Sequence, residues 1–191
     1  MKIHKKPAKK TNPKKNLGQV HVYTGEGKGK TSAALGILLR AAGQGHRVLM
    51  IQFIKGDRAA GELLAFQNLG KHVEILQFGR ADLTSMADLQ AVDAYFTEQG
   101  LNYAREAMRS RRKRPDVLIL DEITTAVEHG LVRVEEVIDV VDNRHRNTEI
   151  IMTGTTTHPA LLNLADLVTV LYPAKHYFDR DNFEARSGIE F

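Results

Sequence analysis

Residues Gly25-Glu26-Gly27-Lys28-Gly29-Lys30-Thr31 place three glycines, two lysines and a hydroxyl within seven positions, a composition suited to holding a chain of phosphates. Glycine keeps side chains out of the way, so successive N–H groups can turn toward one anion, and it tolerates φ > 0. A helix opening near Lys30 adds its positive N-terminal end. In such a loop Lys30 reaches the outer phosphates, and the Thr31 hydroxyl, with Ser32 beside it, serves a magnesium ion. Gly25 to Ser32 are therefore the candidate nucleotide-binding residues. The match to G-x-x-x-x-G-K-[ST] departs at one place: the first glycine falls at Thr24, with Gly25 and Gly27 nearby.

A second group of chemical interest is Asp121-Glu122, which closes the apolar run Val117-Leu118-Ile119-Leu120. An acid at the end of a buried strand is the usual support for magnesium in phosphate-loop proteins, and magnesium takes few protein oxygens and several waters. Thr31 and Asp121 are the candidate metal residues. Glu122 could orient an attacking water or bond a ribose, and its position does not decide between them. Nor does the loop say which atom is attacked. A kinase or hydrolase attacks the γ-phosphorus, whereas an enzyme that expels the whole triphosphate attacks ribose C5′. Both need the same clamp, with Lys28, Lys30 and magnesium balancing the charge that develops.

These residues need a scaffold that gathers loop ends. Val20–Tyr23 reads as a strand and residues 31–42 as a helix with apolar Ala34, Leu35, Leu38, Leu39 and Ala42, stopped by Gly43 and Gly45. Strands follow at residues 47–53, 73–78, 116–122, 149–152 and 167–171. Helices are expected at 62–69, 132–141 and 158–165, with a long, mostly helical stretch over 85–112 broken at Gly100. Alternating β and α units predict an α/β fold of three layers, a mostly parallel sheet between helices. Ligands bind such sheets at the C-terminal strand ends, where the loop, the segment after Phe53, Asp121-Glu122 and Thr153-Gly154 all fall.

The 191 residues suit one domain, and 42% hydrophobic residues provide for a core. No apolar run approaches the ~18 residues of a membrane helix, no secretory leader is evident, and the absence of cysteine excludes disulfides and thiolate metal sites, so a cytoplasmic protein without a membrane partner is expected. The net charge of +4 is uneven: residues 1–15 hold seven lysines and no acid, and without those seven the remainder carries −3. We read residues 1–18 as a disordered, solubilising tail and 19–191 as the folded domain. The acidic balance of that domain speaks against a nucleic-acid partner, although the tail could contact a polyanion. The basic run Arg109 to Arg114 suits the end of a helix. No pair of histidines shows metal-ligand spacing.

Taken together, several blocks resemble the ATP:corrinoid adenosyltransferases of the phosphate-loop type, which act on cob(I)alamin and cob(I)yrinic acid a,c-diamide. Residues 23–31 are similar to that family's own loop, in which Thr at the first position is normal. Arg40-Ala41-Ala42-Gly43-Gln44-Gly45, Gln52-Phe53-Ile54-Lys55-Gly56, Leu120-Asp121-Glu122-Ile123, Lys175-His176 and Arg186-Ser187-Gly188-Ile189-Glu190-Phe191 resemble further family blocks in order and spacing. The resemblance implies a RecA-like fold, a homodimer, and transfer of the 5′-deoxyadenosyl group of ATP to Co(I) of a corrinoid, with Mg2+ or Mn2+, release of triphosphate and a reduced flavoprotein as electron donor. It implies that Gly25 to Thr31 hold the triphosphate, that Lys30 and Glu122 are the catalytic residues, that Arg40 and Glu122 contact the adenosine, and that Thr31 and Asp121 serve the metal.

Two departures accompany the resemblance. Many members carry an aromatic-rich loop after the third strand that helps displace the lower cobalt ligand, and here that region reads Phe78-Gly79-Arg80-Ala81-Asp82-Leu83 in a chain without tryptophan. Phe78 is expected in the core. After the fifth strand, Thr153-Gly154-Thr155 stands where the family often has Thr-Gly-Arg, removing a multidentate cation for which Lys55 or Lys175 could substitute. The competing readings are a phosphate-loop hydrolase or phosphotransferase acting at the γ-phosphate, and a RecA-like nucleic-acid binder.

Overall fold

Six short apolar runs, rich in Val, Ile and Leu, build one sheet: β1 (Val20–Thr24), β2 (Val48–Phe53), β3 (Val73–Phe78), β4 (Val117–Asp121), β5 (Glu149–Thr153) and β6 (Leu167–Val170). The computed structural model describes residues 17–56, 60–66, 70–83, 85–177 and 186–189. Most of the expected basic tail, residues 67–69 of the second expected helix and the closing Glu190-Phe191 lie outside the described residues. Every strand pair is parallel, in the order β3-β2-β4-β5-β1-β6. The predicted α/β architecture with its parallel sheet is what the chain adopts.

The helices are α1 (Lys30–Gly43), α2 (Gly61–Phe66), α3 (Ala91–Arg109), α4 (Ile123–Glu128), α5 (Val134–Asp142) and α6 (Pro159–Leu164). Side chains alternate across a strand, and the two faces of the sheet sort accordingly. Leu49, Ile51, Leu118, Leu120, Ile150 and Met152 pack with Leu101 and Ala104 of α3, Ile123 and Ala126 of α4, Val137 of α5 and Leu161 of α6. Val48, Met50, Val117, Ile119 and Ile151 pack on the other face with Ala34, Leu38 and Ala41 of α1. Completely burying such aliphatic side chains contributes about 1.5–3 kcal/mol each, which fixes which face every strand turns to α1. The same alternation puts Asp121 on the face of Val117 and Ile119, the α1 face.

Three expectations change. The stretch 85–112 divides into a 3-10 turn (Met86–Asp88) and α3, which runs through Gly100 without a break. Gly100 is a packing residue: a Cβ there would lie 2.8 Å from Phe53 Cε1 and 3.0 Å from Phe78 Cγ, so its absence lets α3 settle on β2 and β3. Phe78 does face this core, as expected. The short helix α4 directly follows Glu122 and was not foreseen, because a six-residue helix with a buried first turn shows no amphipathic period. The expected helix 132–141 begins two residues later, at Val134.

Candidate nucleotide site

The loop after β1 is pinned from two sides. Gly25 N–H donates to the Thr155 carbonyl (2.9 Å) and Gly27 N–H to the Leu171 carbonyl (2.9 Å), while Leu171 N–H donates to the Thr24 carbonyl (2.7 Å). Gly25 has φ 104 and no room for a Cβ against the Leu171 carbonyl, so glycine is required there on both counts. Thr24, the departure from the usual motif, is itself a tie: its hydroxyl donates to the Thr155 carbonyl (3.1 Å) and accepts from Thr157 Oγ1 (3.0 Å). The Thr155 contacts to Gly25 and Thr24 are made by its backbone carbonyl, and its side chain is exposed. Lys30 Nζ donates to the carbonyls of Gly25 (2.6 Å) and Gly27 (3.0 Å), curled over the loop it follows.

Strand register then builds a polar row at the C-terminal ends of four neighbouring strands. Gln52 of β2 pairs in register with Gln77 of β3 and with Asp121 of β4. Gln77 Nε2 donates to Gln52 Oε1 (3.1 Å), and Gln52 Nε2 donates to Asp121 Oδ2 (3.3 Å) and to Glu62 Oε1 of α2 (3.0 Å). From β5, Thr153 Oγ1 donates to Asp121 Oδ1 (2.7 Å) and accepts from Glu122 N–H (2.9 Å). Asp121 is 0% exposed, and an isolated buried carboxylate is costly. Its remaining partners supply what it needs: Thr31 Oγ1 donates to Oδ1 (3.0 Å) and Lys55 Nζ to Oδ2 (2.8 Å). Thr31 and Asp121, the two candidate metal residues, lie in separate segments 90 residues apart and are brought into contact.

A cavity of about 570 Å³ opens over this row, lined in part by Lys28, Lys30, Thr31, Ser32, Lys55 and Glu122. Glu122 adopts φ 63, a left-handed conformation unusual outside glycine and one that concentrates at functional positions. Its Oε2 accepts from Thr125 Oγ1 (2.7 Å), which holds the carboxylate at the cavity wall. Arg40 is not brought to the cavity lining. It lies in the last turn of α1, ~15 Å along the helix from Lys30, where its charge opposes the upward push that burial gives the Tyr23 phenol. Lys55, expected as a substitute cation, does reach the site. Glu62, Gln52, Gln77 and Thr153 were not singled out individually. For Gln52, Gln77 and Thr153 the one signal is a polar residue near the C-terminal end of a strand, whereas Glu62 lies in α2 and carries no such signal. The C-terminal blocks also converge here: Gly188 and Ile189 line the cavity, Lys28 Nζ donates to Tyr177 Oη (3.0 Å), and the His176 ring packs on Tyr177 at 4.5 Å.

The segment after β3 is tied down by charge. Arg80 Nε donates to Asp93 Oδ1 (3.0 Å), and Arg80 also donates to the Asp88 carbonyl (2.8 Å). Burial would raise the Asp93 carboxyl, but the bonds from Arg80 and Gln90 N–H outweigh it and hold it below the usual range. Beside this segment lies a broader cavity of about 770 Å³ bounded by Leu63, Gln77, Arg80, Tyr95, Phe96 and Gln99. Tyr95 is 56% exposed at its edge, and α2 contributes residues to both cavities.

A glycine loop at the end of β1 and a buried acid at the end of β4, meeting over a parallel sheet at the first turn of α1, define a phosphate-loop nucleotide-binding protein. The chain belongs to the family described as ATP:corrinoid adenosyltransferase BtuR/CobO/CobP, whose match covers residues 16–191. It is similar to proteins named corrinoid adenosyltransferase from Escherichia coli K12 (33% identical, 91% of this chain and 86% of the relative) and Pseudomonas aeruginosa (31%, 91% and 84%). A third, from Salmonella typhimurium, is 35% identical over 91% of this chain and 86% of its own length.

Proposed function

We propose that the protein transfers the 5′-deoxyadenosyl group of ATP to the Co(I) of a corrinoid and releases triphosphate. The observation that carries this reading is the polar row on Asp121 beneath the glycine loop, in a chain of the adenosyltransferase family. The Co(I) lone pair attacks C5′, the C5′–O5′ bond breaks, and the triphosphate leaves with the electron pair. A nucleophile of this strength needs no activated water, so the work of the protein is to orient C5′ and to stabilise the leaving group.

In this reading the N–H groups of Gly25 to Thr31, with Glu26 at the loop tip, Lys28, and Ser32 in the first turn of α1, hold the triphosphate. Lys30 turns from the loop carbonyls to the phosphates. Glu122 meets the ribose, and Arg40 would reach the adenosine only from the outer end of α1. A divalent cation fits the donors present: a buried carboxylate and a hydroxyl 3.0 Å apart, both already bonded to an ammonium. Among the described residues no cluster of three His, Cys, Asp or Glu side chains could hold a metal alone, so Mg2+ on Thr31 and Asp121 would take its other ligands from phosphate and water. Bound there, it would neutralise charge on the departing triphosphate. The corrinoid would approach through the broader cavity across α2, with Tyr95 at its edge. The described segment after β3 supplies Arg80 and Asp82 where an aromatic wedge would stand, which favours corrinoids that need no lower ligand displaced.

The reading extends to a homodimer, supported by the apolar Leu167, Val168 and Val170 left exposed on the edge strand β6, to a reduced flavoprotein donor, and to a cytoplasmic enzyme of cobalamin biosynthesis. No described helix is long and apolar enough to cross a membrane. Anaerobic incubation with ATP and a reduced corrinoid should give a light-sensitive alkylcobalt spectrum and intact triphosphate. Orthophosphate with ADP instead would establish the γ-phosphate chemistry of a hydrolase or phosphotransferase. Lys30→Ala should lower the rate about 100-fold or more through loss of the leaving-group clamp.

A further inference from the structure

We infer that Lys55 is a tethered cation that occupies the metal-ligand pair and admits a divalent ion only together with a nucleotide. The inference rests on the reading of Thr31 and Asp121 as metal ligands. Lys55 Nζ lies 2.8 Å from Asp121 Oδ2 and 3.1 Å from Thr31 Oγ1, so one ammonium bonds both oxygens assigned to the metal. The other donors to Asp121 are the neutral Thr31, Thr153 and Gln52, which supply hydrogen bonds but no balancing charge. Among the described residues Lys55 is the cation paired with this fully buried carboxylate.

The backbone holds Lys55 to this task. Ile54 adopts φ 62, a conformation that a β-branched residue takes only under constraint. Its N–H donates to the Phe78 carbonyl (3.1 Å), and Gly79 lies so close that a Cβ would overlap the backbone of Ile54 and Lys55. The root of Lys55 is thus clamped between β2 and β3 while its side chain, 32% exposed, ends at the cavity wall. A divalent ion entering alone would meet the ammonium at contact distance and be repelled. A triphosphate changes the balance, because it offers Lys55 new anionic acceptors within the same cavity. Lys55 then leaves Asp121 for phosphate as the metal takes its place, and metal and nucleotide bind as one unit.

Manganese titration followed by electron paramagnetic resonance, without nucleotide, tests this directly. Lys55→Met keeps most of the stem and removes the charge. It should bind Mn2+ about tenfold or more tighter than the parent protein. Lys55→Arg should retain the weak parental affinity, and Lys71→Met, a change of equal charge away from the site, should leave it unaltered. Adding Asp121→Asn to Lys55→Met should abolish the gain. In excess chelator, ATP should bind Lys55→Met about tenfold more weakly than the parent. Melting curves by circular dichroism establish that each variant is folded. Equal Mn2+ affinity in Lys55→Met and the parent, or no measurable binding by Lys55→Met, overturns the inference. If Asp121→Asn still alters the metal dependence of ATP binding in that case, the metal assignment survives and Lys55 alone is misassigned. A gain that persists with Asp121→Asn overturns both.

Discussion

Glu122 is the residue whose chemistry is most sharply posed by its setting. Its left-handed backbone stores strain of order 1–3 kcal/mol, and the hydroxyls of Thr125 and Thr153 hold the side chain and the N–H in place. A carboxylate so fixed is suited to a hydroxyl donor such as a ribose. Glu122→Gln keeps the shape and removes the charge, and loss of one charge-assisted bond should weaken ATP binding about 10- to 100-fold. Calorimetric titration with ATP checks this. Unchanged affinity together with a collapse in turnover would assign Glu122 to the chemical step instead. The glycine loop and Asp121 were legible because their meaning is local: a composition, and an acid closing an apolar run. Gln52, Gln77 and Thr153 were not, since each acquires its role from strand register, and register is a property of the assembled sheet. Thr24 shows the same limit, being an imperfection in the motif by spacing and a double hydrogen-bonding tie in three dimensions.

Among the elements, α3 carries the clearest lesson. A glycine within a helical pattern reads as a break because it weakens a helix by about 1 kcal/mol. Here the ring edges of Phe53 and Phe78 occupy the space a side chain would fill, and contact with the sheet outweighs propensity. Gly100→Ala should therefore destabilise the protein by roughly 1–3 kcal/mol despite raising helix propensity, as overpacked sites do. Urea unfolding monitored by circular dichroism would measure it, and a stabilised variant would show that the rings move aside freely. The strands were readable almost to the residue, since continuous apolar runs between turn residues leave little choice in a doubly covered sheet. The helix α4 was hidden because its first turn is buried all round, which leaves no stripe to see.

At the scale of the molecule, β5 is stitched to the start of the folded chain by one carboxylate. Glu149 accepts from Gly18 N–H (2.7 Å), Gln19 N–H (2.9 Å) and His21 Nε2 (2.8 Å). Burial alone would raise this carboxyl, but the bonds from His21 and the two backbone groups prevail and hold it below the ordinary range. The unfolded chain therefore takes up the proton more readily. The stabilisation is present in full above the unfolded pKa of about 4.3 and fades as pH falls through the lower folded value. Stability should drop between about pH 5 and 3, and Glu149→Gln should flatten that part of the profile while lowering stability at pH 7. Denaturant melts across this range test both. Sheet order itself was beyond the sequence, because parallel crossovers of similar length permit many arrangements, and only the pairing of β4 between β2 and β5 brings Asp121 to Thr31.

The carbonyls that pin the glycine loop belong to Thr155 and Leu171, more than 120 residues downstream. During synthesis the loop emerges early, yet these two ties can form only once the segments after β5 and β6 have left the ribosome. The nascent loop is therefore held only by its local ties, from Lys30 to the Gly25 and Gly27 carbonyls, until β6 has been made.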